Sequence, residues 1–416
     1  MEIKTFGCKL NHYDSLLMKK HLSGLKSEKN IFILNSCAVT SQAGKEIRKT
    51  AEKIKNSNPN SFVVITGCGA QVETELYKNS QSVDLVIGNS DRKSLKTIIE
   101  NSLLQKNTNK AVKSNIFKTK EIYSDFVSPD PDRARAFLKI QDGCDSFCSF
   151  CIIPFARGKS KSLPAVFLRD SIKKLEDQDI KEVVLTGVHI GDYKDEGMGL
   201  EDLIEYLLKT TLIPRIRLTS LEPVEITDRL LQCYQDERMC PHFHISLQSA
   251  NSKVLDSMKR KYSQKEVEQA FEAIVKSIPQ AFVGLDIIAG FPTESKKDFK
   301  ESYRLLKNHS WTSMHVFPYS ARSGTYSAFK YQELDQKEVA NRASVLRQLS
   351  RERFSEQRKK QLRTYKQTLL FRKDNSRGLS RDYWKIKMPA SSFKGEKRVF
   401  ISELDSKEDW LKAQWI

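Results

Sequence analysis

Three cysteines stand within eight residues of the stretch KIQDGCDSFCSFCIIPFARG, residues 139–158: Cys144, Cys148 and Cys151, spaced C-x3-C-x2-C. Thiolates this close on one loop converge on a single soft metal centre. A tetrahedral zinc takes four ligands, and no fourth Cys or His follows at finger spacing. A cubane iron–sulfur cluster held by three cysteines instead keeps one iron open for a further ligand. A structural zinc knot or a disulfide pair is the plainer alternative. The residue before the last cysteine is aromatic, Phe150.

A second triplet is dispersed. Cys8, Cys37 and Cys68 each end an apolar, strand-like run: EIKTFGC, NIFILNSC and SFVVITGC. A fourth run, VDLVIGN, occupies 83–89, and helical patterns fill the gaps at 14–23 and 43–55. Strands alternating with helices predict an α/β unit with a doubly wound parallel sheet, whose carboxyl ends share one edge. Three cysteines on successive carboxyl ends would meet there as another three-thiolate site with an open iron. Alternatively they are three buried structural thiols. Gly7 and Gly67, just before Cys8 and Cys68, leave room for backbone beside a bulky group.

The elements that must position the first triplet come next. SPDPD at 128–132 reads as a linker. Strand-like runs follow at 136–141, 182–188, 215–221, 242–248, 283–288 and 315–319, with helices at 168–178, 200–208, 265–278 and 296–307 between them. Six β/α units predict a partial (β/α)6 barrel with its active site at the strands' carboxyl ends. Cys144, Gly187, Glu222, Gln248, Gly290 and Tyr319 fall at or just beyond those ends. His242 and His244 share one strand face, where they pack or bond in the core. Cys233 and Cys240 belong to no pattern and read as structural. In IIPFARGKSKS, Arg157, Lys159 and Lys161 form either a solvated basic patch or a set of phosphate contacts to RNA. After 366, short alternating runs (TLLFR, YWKIKMP, EKRVFISEL, LKAQWI) predict a small β domain. There Tyr383 and Trp384 beside Lys385 either stack an RNA base or fill the core. The resulting division is 1–125, 126–365 and 366–416.

Lys and Arg number 70 against 52 Asp and Glu, a net charge of +18, so a polyanion is the natural partner and RNA is favoured over a membrane surface. Residues 341–366 concentrate nine Lys/Arg against two Glu in a helical pattern, and 92–120 is also Lys-rich. The mean hydropathy is negative, and no apolar run reaches transmembrane length. The start, MEIKTFGCKLN, has no basic region followed by an apolar core, so a cytoplasmic location is expected. Eight cysteines then argue for metal or redox chemistry rather than a disulfide framework.

Read together, GCKLNHYDS (7–15), NSCAVT (35–40), TGCGAQ (66–71), FLKIQDGCDSFCSFCIIPFARG (137–158), LTGVHIGDY (185–193), SLEP (220–223), HFHISLQS (242–249) and HVFPYSARSGT (315–325) resemble the methylthiotransferase branch of the radical S-adenosylmethionine (SAM) enzymes. The resemblance covers essentially the whole chain. It implies two 4Fe–4S clusters, an auxiliary one on Cys8, Cys37 and Cys68 and a SAM-binding one on Cys144, Cys148 and Cys151. It also implies a carboxyl-terminal domain of the RNA-holding TRAM type. SAM would chelate the open iron and split, on receipt of one electron, into methionine and a 5′-deoxyadenosyl radical. Phe150, Gly187, Glu222, Gln248 and Gly290 would surround it, the glycines by allowing close approach. A second SAM would supply the methyl group.

The implied reaction adds a methylthio group to C2 of N6-threonylcarbamoyladenosine next to the tRNA anticodon, because GCKLN and HFHISLQS look like that branch. The alternatives are isopentenyladenosine in tRNA and an aspartate of a ribosomal protein. The implied partners are a tRNA anticodon stem-loop, an electron donor such as flavodoxin or ferredoxin, and a sulfur source, with the enzyme a monomer. The chain departs from the family's usual residues at Lys161, Leu163, Ala250 and Thr293. A rival of another class is a non-catalytic, metal-stabilised RNA-binding protein.

Overall fold

The computed structural model describes residues 1–39, 41–104, 110–129, 134–390, 392 and 395–416. The expected linker at 128–132 lies partly outside the described residues.

The apolar runs of the amino-terminal part form five parallel strands side by side in chain order: β1 (Glu2–Thr5), β2 (Ile31–Ser36), β3 (Phe62–Gly67), β4 (Leu85–Ile87) and β5 (Ala111–Val112). β3 and β4 are buried along their whole length, which is why they read as continuous apolar runs rather than alternating ones. The helices are α1 (Lys9–His21), α2 (Ser41–Ser57), α3 (Cys68–Val72), α4 (Thr74–Lys78) and α5 (Leu95–Leu104). Tyr13, Leu17 and Met18 of α1 and Leu95 and Ile99 of α5 pack on Ile31, Ile33, Phe62 and Val64. Ile47, Ala51 and Ile54 of α2 and Tyr77 of α4 cover Leu34, Val63 and Ile65 on the opposite face. The sheet is therefore covered on both faces, as expected, and its strand order runs without a reversal.

The central part begins with β6 (Arg135–Lys139). A short antiparallel pair follows, β7 (Gln141–Asp142) with β8 (Lys161–Ser162), and then come β9 (Glu182–Thr186), β10 (Arg215–Leu218), β11 (His242–Gln248), β12 (Phe282–Ala289) and β13 (Ser313–Pro318). Two three-stranded parallel sheets, β10-β9-β6 and β11-β12-β13, are joined by single bridges between Ile216 and Met239 and between Leu221 and Ile245. The six long strands thus form an arc, and no ladder closes β6 onto β13 among the described residues. The helices are α6 (Ile153–Arg157), α7 (Ala165–Glu176), α8 (Leu200–Thr210), α9 (Asp228–Cys233), α10 (Ser252–Ser257), α11 (Gln264–Ser277), α12 (Lys296–Asn308), α13 (Tyr326–Lys330) and α14 (Gln336–Lys359). The basic stretch expected from 341 onward is mostly α14. Its stripe of Ala343, Leu346 and Leu349 belongs to the core with Met314 and Val316 of β13.

The last part is a closed barrel, β14 (Tyr365–Leu370), β15 (Arg377–Ser380), β16 (Lys385–Lys387), β17 (Glu396–Leu404) and β18 (Leu411–Trp415), ordered β14-β15-β16-β18-β17 with β17 back on β14. It docks through buried arginines. Arg215 donates to Gln367 O at 2.9 Å, Leu379 O at 3.0 Å and Glu396 at 2.7 Å, and Arg217 donates to Arg381 O at 3.0 Å. Both also bond the fully buried Glu182. Among the described residues, no helix is long and apolar enough to cross a membrane.

Candidate functional site

Cys37 and Cys68 follow β2 and β3 directly and Cys8 comes three residues after the end of β1, so the parallel sheet delivers them to one edge. The approach is close enough to demand glycine. Gly7 has φ +93°, and a Cβ there would lie 2.7 Å from the Cys37 sulfur. Gly67 has φ +100°, and a Cβ would lie 2.4 Å from Ser36 O. Burial pushes the Cys37 thiol up to about 12, with the negative ends of Cys68 and Cys8 adding to it. Burial also raises Cys8, which Arg157 opposes and Cys68 reinforces. The charge of each sulfur thus reaches the others. Cys37 and Cys68 are buried while Cys8 keeps an exposed side, so the triplet has one open wall.

The second triplet is held by its ends. The β7–β8 pair closes the loop, Cys144 N donates to Gly158 O at 3.1 Å, and Gly143 at φ +78° rests against Lys159 O. Cys151 N donates to Cys148 O at 3.0 Å, turning the last two cysteines together. Burial raises Cys151 to about 12, with Cys148 and then Cys144 contributing. Phe150 turns inward, its ring edge-to-face with Phe291 at 6.4 Å.

Each triplet receives one arginine. Arg157, at the end of α6, donates Nε–H to the Cys68 sulfur at 3.2 Å. Its other N–H groups go to Asp142 at 2.9 and 3.1 Å, Asn11 at 2.7 Å and Asp14 at 3.0 Å. Arg260 donates to the Cys148 sulfur at 3.2 Å and to Ser246 O at 3.1 Å, and pairs with Glu222 at 2.8 Å. Asp14, fully buried, also accepts from Arg92 at 2.6 Å and Lys139 at 2.7 Å. Burial alone would raise its pKa, but Arg92, Lys139 and Arg157 hold it far below the usual carboxylate range. This network seals the amino-terminal sheet to the barrel, because Asp14 and Arg92 come from one and Lys139, Asp142 and Arg157 from the other.

The mouth residues divide. Glu222 is buried beside Arg260, and burial raises its carboxyl above the usual range against the pull of Arg260 and His189. Gln248 stands at the end of β11 in a left-handed conformation, φ +60°, as do Ser220 (φ +52°) and Phe147 (φ +44°), a cluster of backbone strain at the barrel's rim. Tyr319 is buried and bonds Ser327 at 2.9 Å. The two glycines need their small size for the protein itself. A Cβ on Gly187 would lie 2.8 Å from Gln141 Oε1, and one on Gly290 would lie 2.8 Å from Val339 Cγ2. The space where each Cβ would stand is filled by the chain. His189, absent from the sequence reading, bonds Glu225 at 2.6 Å and pairs with Asp192 at 3.0 Å; with Cys144 and Asp192 it brings ligand atoms within 4.8 Å of one another.

Of the residues expected to meet RNA, Arg157 and Trp384 are buried. Arg157 is 4% exposed and fully engaged, so it leaves no N–H for a phosphate. Trp384 is 3% exposed and fills the small barrel's core with Ile386, Val399 and Leu411. Tyr383 lies between the domains, its ring 4.0 Å from that of His242 and below the guanidinium of Arg217. Lys385 and Lys159 are exposed, and Lys161 donates to Thr119 O at 3.2 Å. His242 is buried and His244 bonds Asp286 at 3.2 Å; Cys233 and Cys240 are buried in the barrel wall. Arg260 and the Asp14 network were not singled out from the sequence, since the cysteine that Arg260 reaches is 112 residues away and the cations around Asp14 are 78 to 143 residues away.

The chemistry of these donor sets fits iron–sulfur clusters. All eight cysteines are free. Buried thiolates need compensating charge, which a metal supplies, and N–H donors aimed at sulfur are the usual outer partners of such clusters. Besides the two arginines, Val39 N points at Cys37 and Ser146 N at Cys144, both at 3.4 Å.

Residues 138–306 match the family described as Radical SAM superfamily, and residues 1–88 match one described as Uncharacterized protein family UPF0004. The threonylcarbamoyladenosine tRNA methylthiotransferase MtaB of Rickettsia prowazekii is 38% identical over 83% of this chain and 82% of its own length. That of Aquifex aeolicus is 35% identical over 85% and 88%. A tRNA-2-methylthio-N(6)-dimethylallyladenosine synthase of Natranaerobius thermophilus is 29% identical over 88% and 84%. Among solved structures, the radical SAM methyltransferase TsrM of Kitasatospora setae has the same general fold, with a TM-score of 0.55 at 12% identity over 76% of this chain and 67% of that one. Two free cysteine triplets, one on a parallel sheet and one on a barrel loop, and relatives spanning most of both chains lead to one conclusion: the chain belongs to the methylthiotransferase family of radical SAM proteins.

Proposed function

We propose that this protein is a tRNA-modifying radical SAM methylthiotransferase that adds a methylthio group to C2 of N6-threonylcarbamoyladenosine next to the anticodon. One observation carries the reading: Arg157, six residues beyond the last cysteine of one triplet, bonds a cysteine of the other, so both triplets serve a single junction. The choice of nucleoside is supported by the names of the relatives at 35–38% identity, against 29% for the dimethylallyladenosine synthase.

Two 4Fe–4S clusters and SAM, when bound, supply the radical and methyl-transfer chemistry that acid–base side chains cannot perform at an aromatic C–H. Cys8, Cys37 and Cys68 hold the auxiliary cluster, and Cys144, Cys148 and Cys151 hold the SAM-binding one. Arg157 and Arg260 orient Cys68 and Cys148 and offset their charge. Glu222, held by Arg260, accepts hydrogen bonds from the SAM amino or ribose groups, Gln248 offers its amide at the same rim, and Phe150 with Phe291 forms an apolar wall. Residues 1–125, 126–365 and 366–416 act as the auxiliary-cluster, radical SAM and TRAM-like domains. The enzyme works in the cytoplasm as a monomer, with a flavodoxin or ferredoxin as electron donor and a separate sulfur source.

Mass spectrometry of tRNA nucleosides from a deletion strain tests this. Loss of the methylthio derivative of threonylcarbamoyladenosine alone is expected. Its persistence, with loss of the isopentenyladenosine derivative, overturns the choice of substrate.

A further inference from the structure

Three phenylalanines break the surface together beside the cysteine loop: Phe117, Phe147 and Phe155, 38%, 41% and 39% exposed. The rings of Phe117 and Phe147 lie within 16° of parallel with centroids 6.3 Å apart. Phe155 stands edge-on to both, at 5.9 and 6.2 Å. The platform is tied to both triplets. Phe147 precedes Cys148 in a loop held at φ +44°. Phe155 lies on α6, two residues before the arginine that bonds Cys68. Ile116, next to Phe117, rests its carbonyl where a Cβ of Gly158 would be.

A recess of about 240 Å³ shares the segment that carries Phe117, and is lined by Arg92, Lys93, Lys118, Lys120, Tyr123 and Lys161. Its acids are already paired, Glu121 with Lys93 and Asp142 with Lys139 and Arg157. An exposed aromatic face alongside a basic hollow is the pairing that holds an unpaired nucleotide, base on the rings and phosphate among the lysines. An acidic protein would be drawn by the same charge, but exposed, near-parallel rings beside that charge suit a planar base.

We infer that Phe117, Phe147 and Phe155, with Lys118 and the recess behind it, form the platform on which an unpaired base flanking the target adenosine stacks while its phosphate enters the recess. This rests on the tRNA reading above and assigns to these residues the contact that Arg157 and Trp384 are too buried to make.

The test uses the reconstituted protein and an anticodon stem-loop carrying 2-aminopurine next to the target adenosine. Stacking quenches that fluorophore, so wild-type protein is expected to quench it on binding. Phe117→Ala should abolish the quench and weaken binding about tenfold, and Phe117→Trp should restore both, which a folding defect would not. Lys118→Ala should weaken binding and lower the salt slope by about one ion. Phe117→Ala with full quench and affinity overturns the platform, as does a variant that binds RNA normally but is no longer reduced by flavodoxin, which would mark a carrier-docking face. A wild-type protein that binds no stem-loop overturns the tRNA reading itself, and the platform with it.

Discussion

On the reading proposed above, the two cysteine triplets do the same chemical job by opposite means. Cys144, Cys148 and Cys151 lie on one loop, and a two-residue strand pair is enough to close it. Cys8, Cys37 and Cys68 are spread over sixty residues, and only a correctly ordered parallel sheet brings them together. A local site needs its loop, whereas a dispersed site needs its fold. The dispersed triplet accordingly has the heavier support behind it: Arg157 bonds Cys68, and Asp14, Asp142, Asn11, Arg92 and Lys139 hold that arginine or its partners. The loop triplet has Arg260, held by Glu222, Ser246 and Tyr262.

Removing each triplet separates their roles most strongly. Replacing Cys144, Cys148 and Cys151 by Ala should lower iron from about eight to about four per chain and abolish both SAM cleavage and product. Replacing Cys8, Cys37 and Cys68 should remove the same amount of iron and all methylthio product while SAM cleavage continues. Iron analysis and detection of 5′-deoxyadenosine check both, and methylthio product surviving loss of the early triplet breaks the distinction.

The arginines come next in size. Arg157→Ala leaves two buried carboxylates short of a partner, so the metal-free protein should lose about 3–5 kcal/mol in a urea titration, as broken buried pairs do. Arg260→Ala leaves only Glu222, whose pKa is already raised, and should cost less. In the loaded protein each loss removes an N–H···S bond that stabilises the reduced cluster, so each should lower the potential of its own cluster and leave the other unmoved. A titration followed by electron paramagnetic resonance reads this, and equal shifts at both clusters would show that the arginines act through the fold rather than on their sulfurs.

The two domain junctions offer a smaller contrast, with pH as the probe. Glu182, at the junction with the carboxyl-terminal barrel, would be raised by burial, but Arg217, Arg135 and Arg215 hold it at about 2. Its unfolded value is about 4.3, so its contribution is complete above that and falls by about 3 kcal/mol as pH drops toward 2. Asp14, at the amino-terminal junction, is depressed further, so its contribution is also complete above about pH 4 and is lost below it. Stability at pH 3 should therefore fall well below that at pH 7, and Glu182→Gln should flatten part of this acid limb while lowering stability at pH 7. An unchanged acid limb would separate Glu182 from the docking of the small barrel.

Much of this was legible in the chain. Continuous apolar runs gave β2, β3 and β4, and their regular alternation with helices gave the parallel sheet. The loop cysteines were readable because spacing alone brings them together. The aromatic and basic RNA contacts were read less well. Tyr383, Trp384 and Arg157 have the right composition, but composition carries no information on which side of a surface a side chain lies. Gly187 and Gly290 were assigned to a ligand, although Gln141 and Val339 fill the space where each Cβ would stand.

By itself the sequence determined the spacing of the loop triplet and the order of strands and helices, because these depend on neighbours along the chain. The tertiary structure alone decided that Arg157 and Arg260 reach across the molecule to sulfur, that Asp14 is neutralised by three cations, and that Phe117 joins Phe147 and Phe155. The reason is distance: a hydrogen bond or ring contact acts over a few ångströms in space, and its partners here are tens to hundreds of residues apart in the chain.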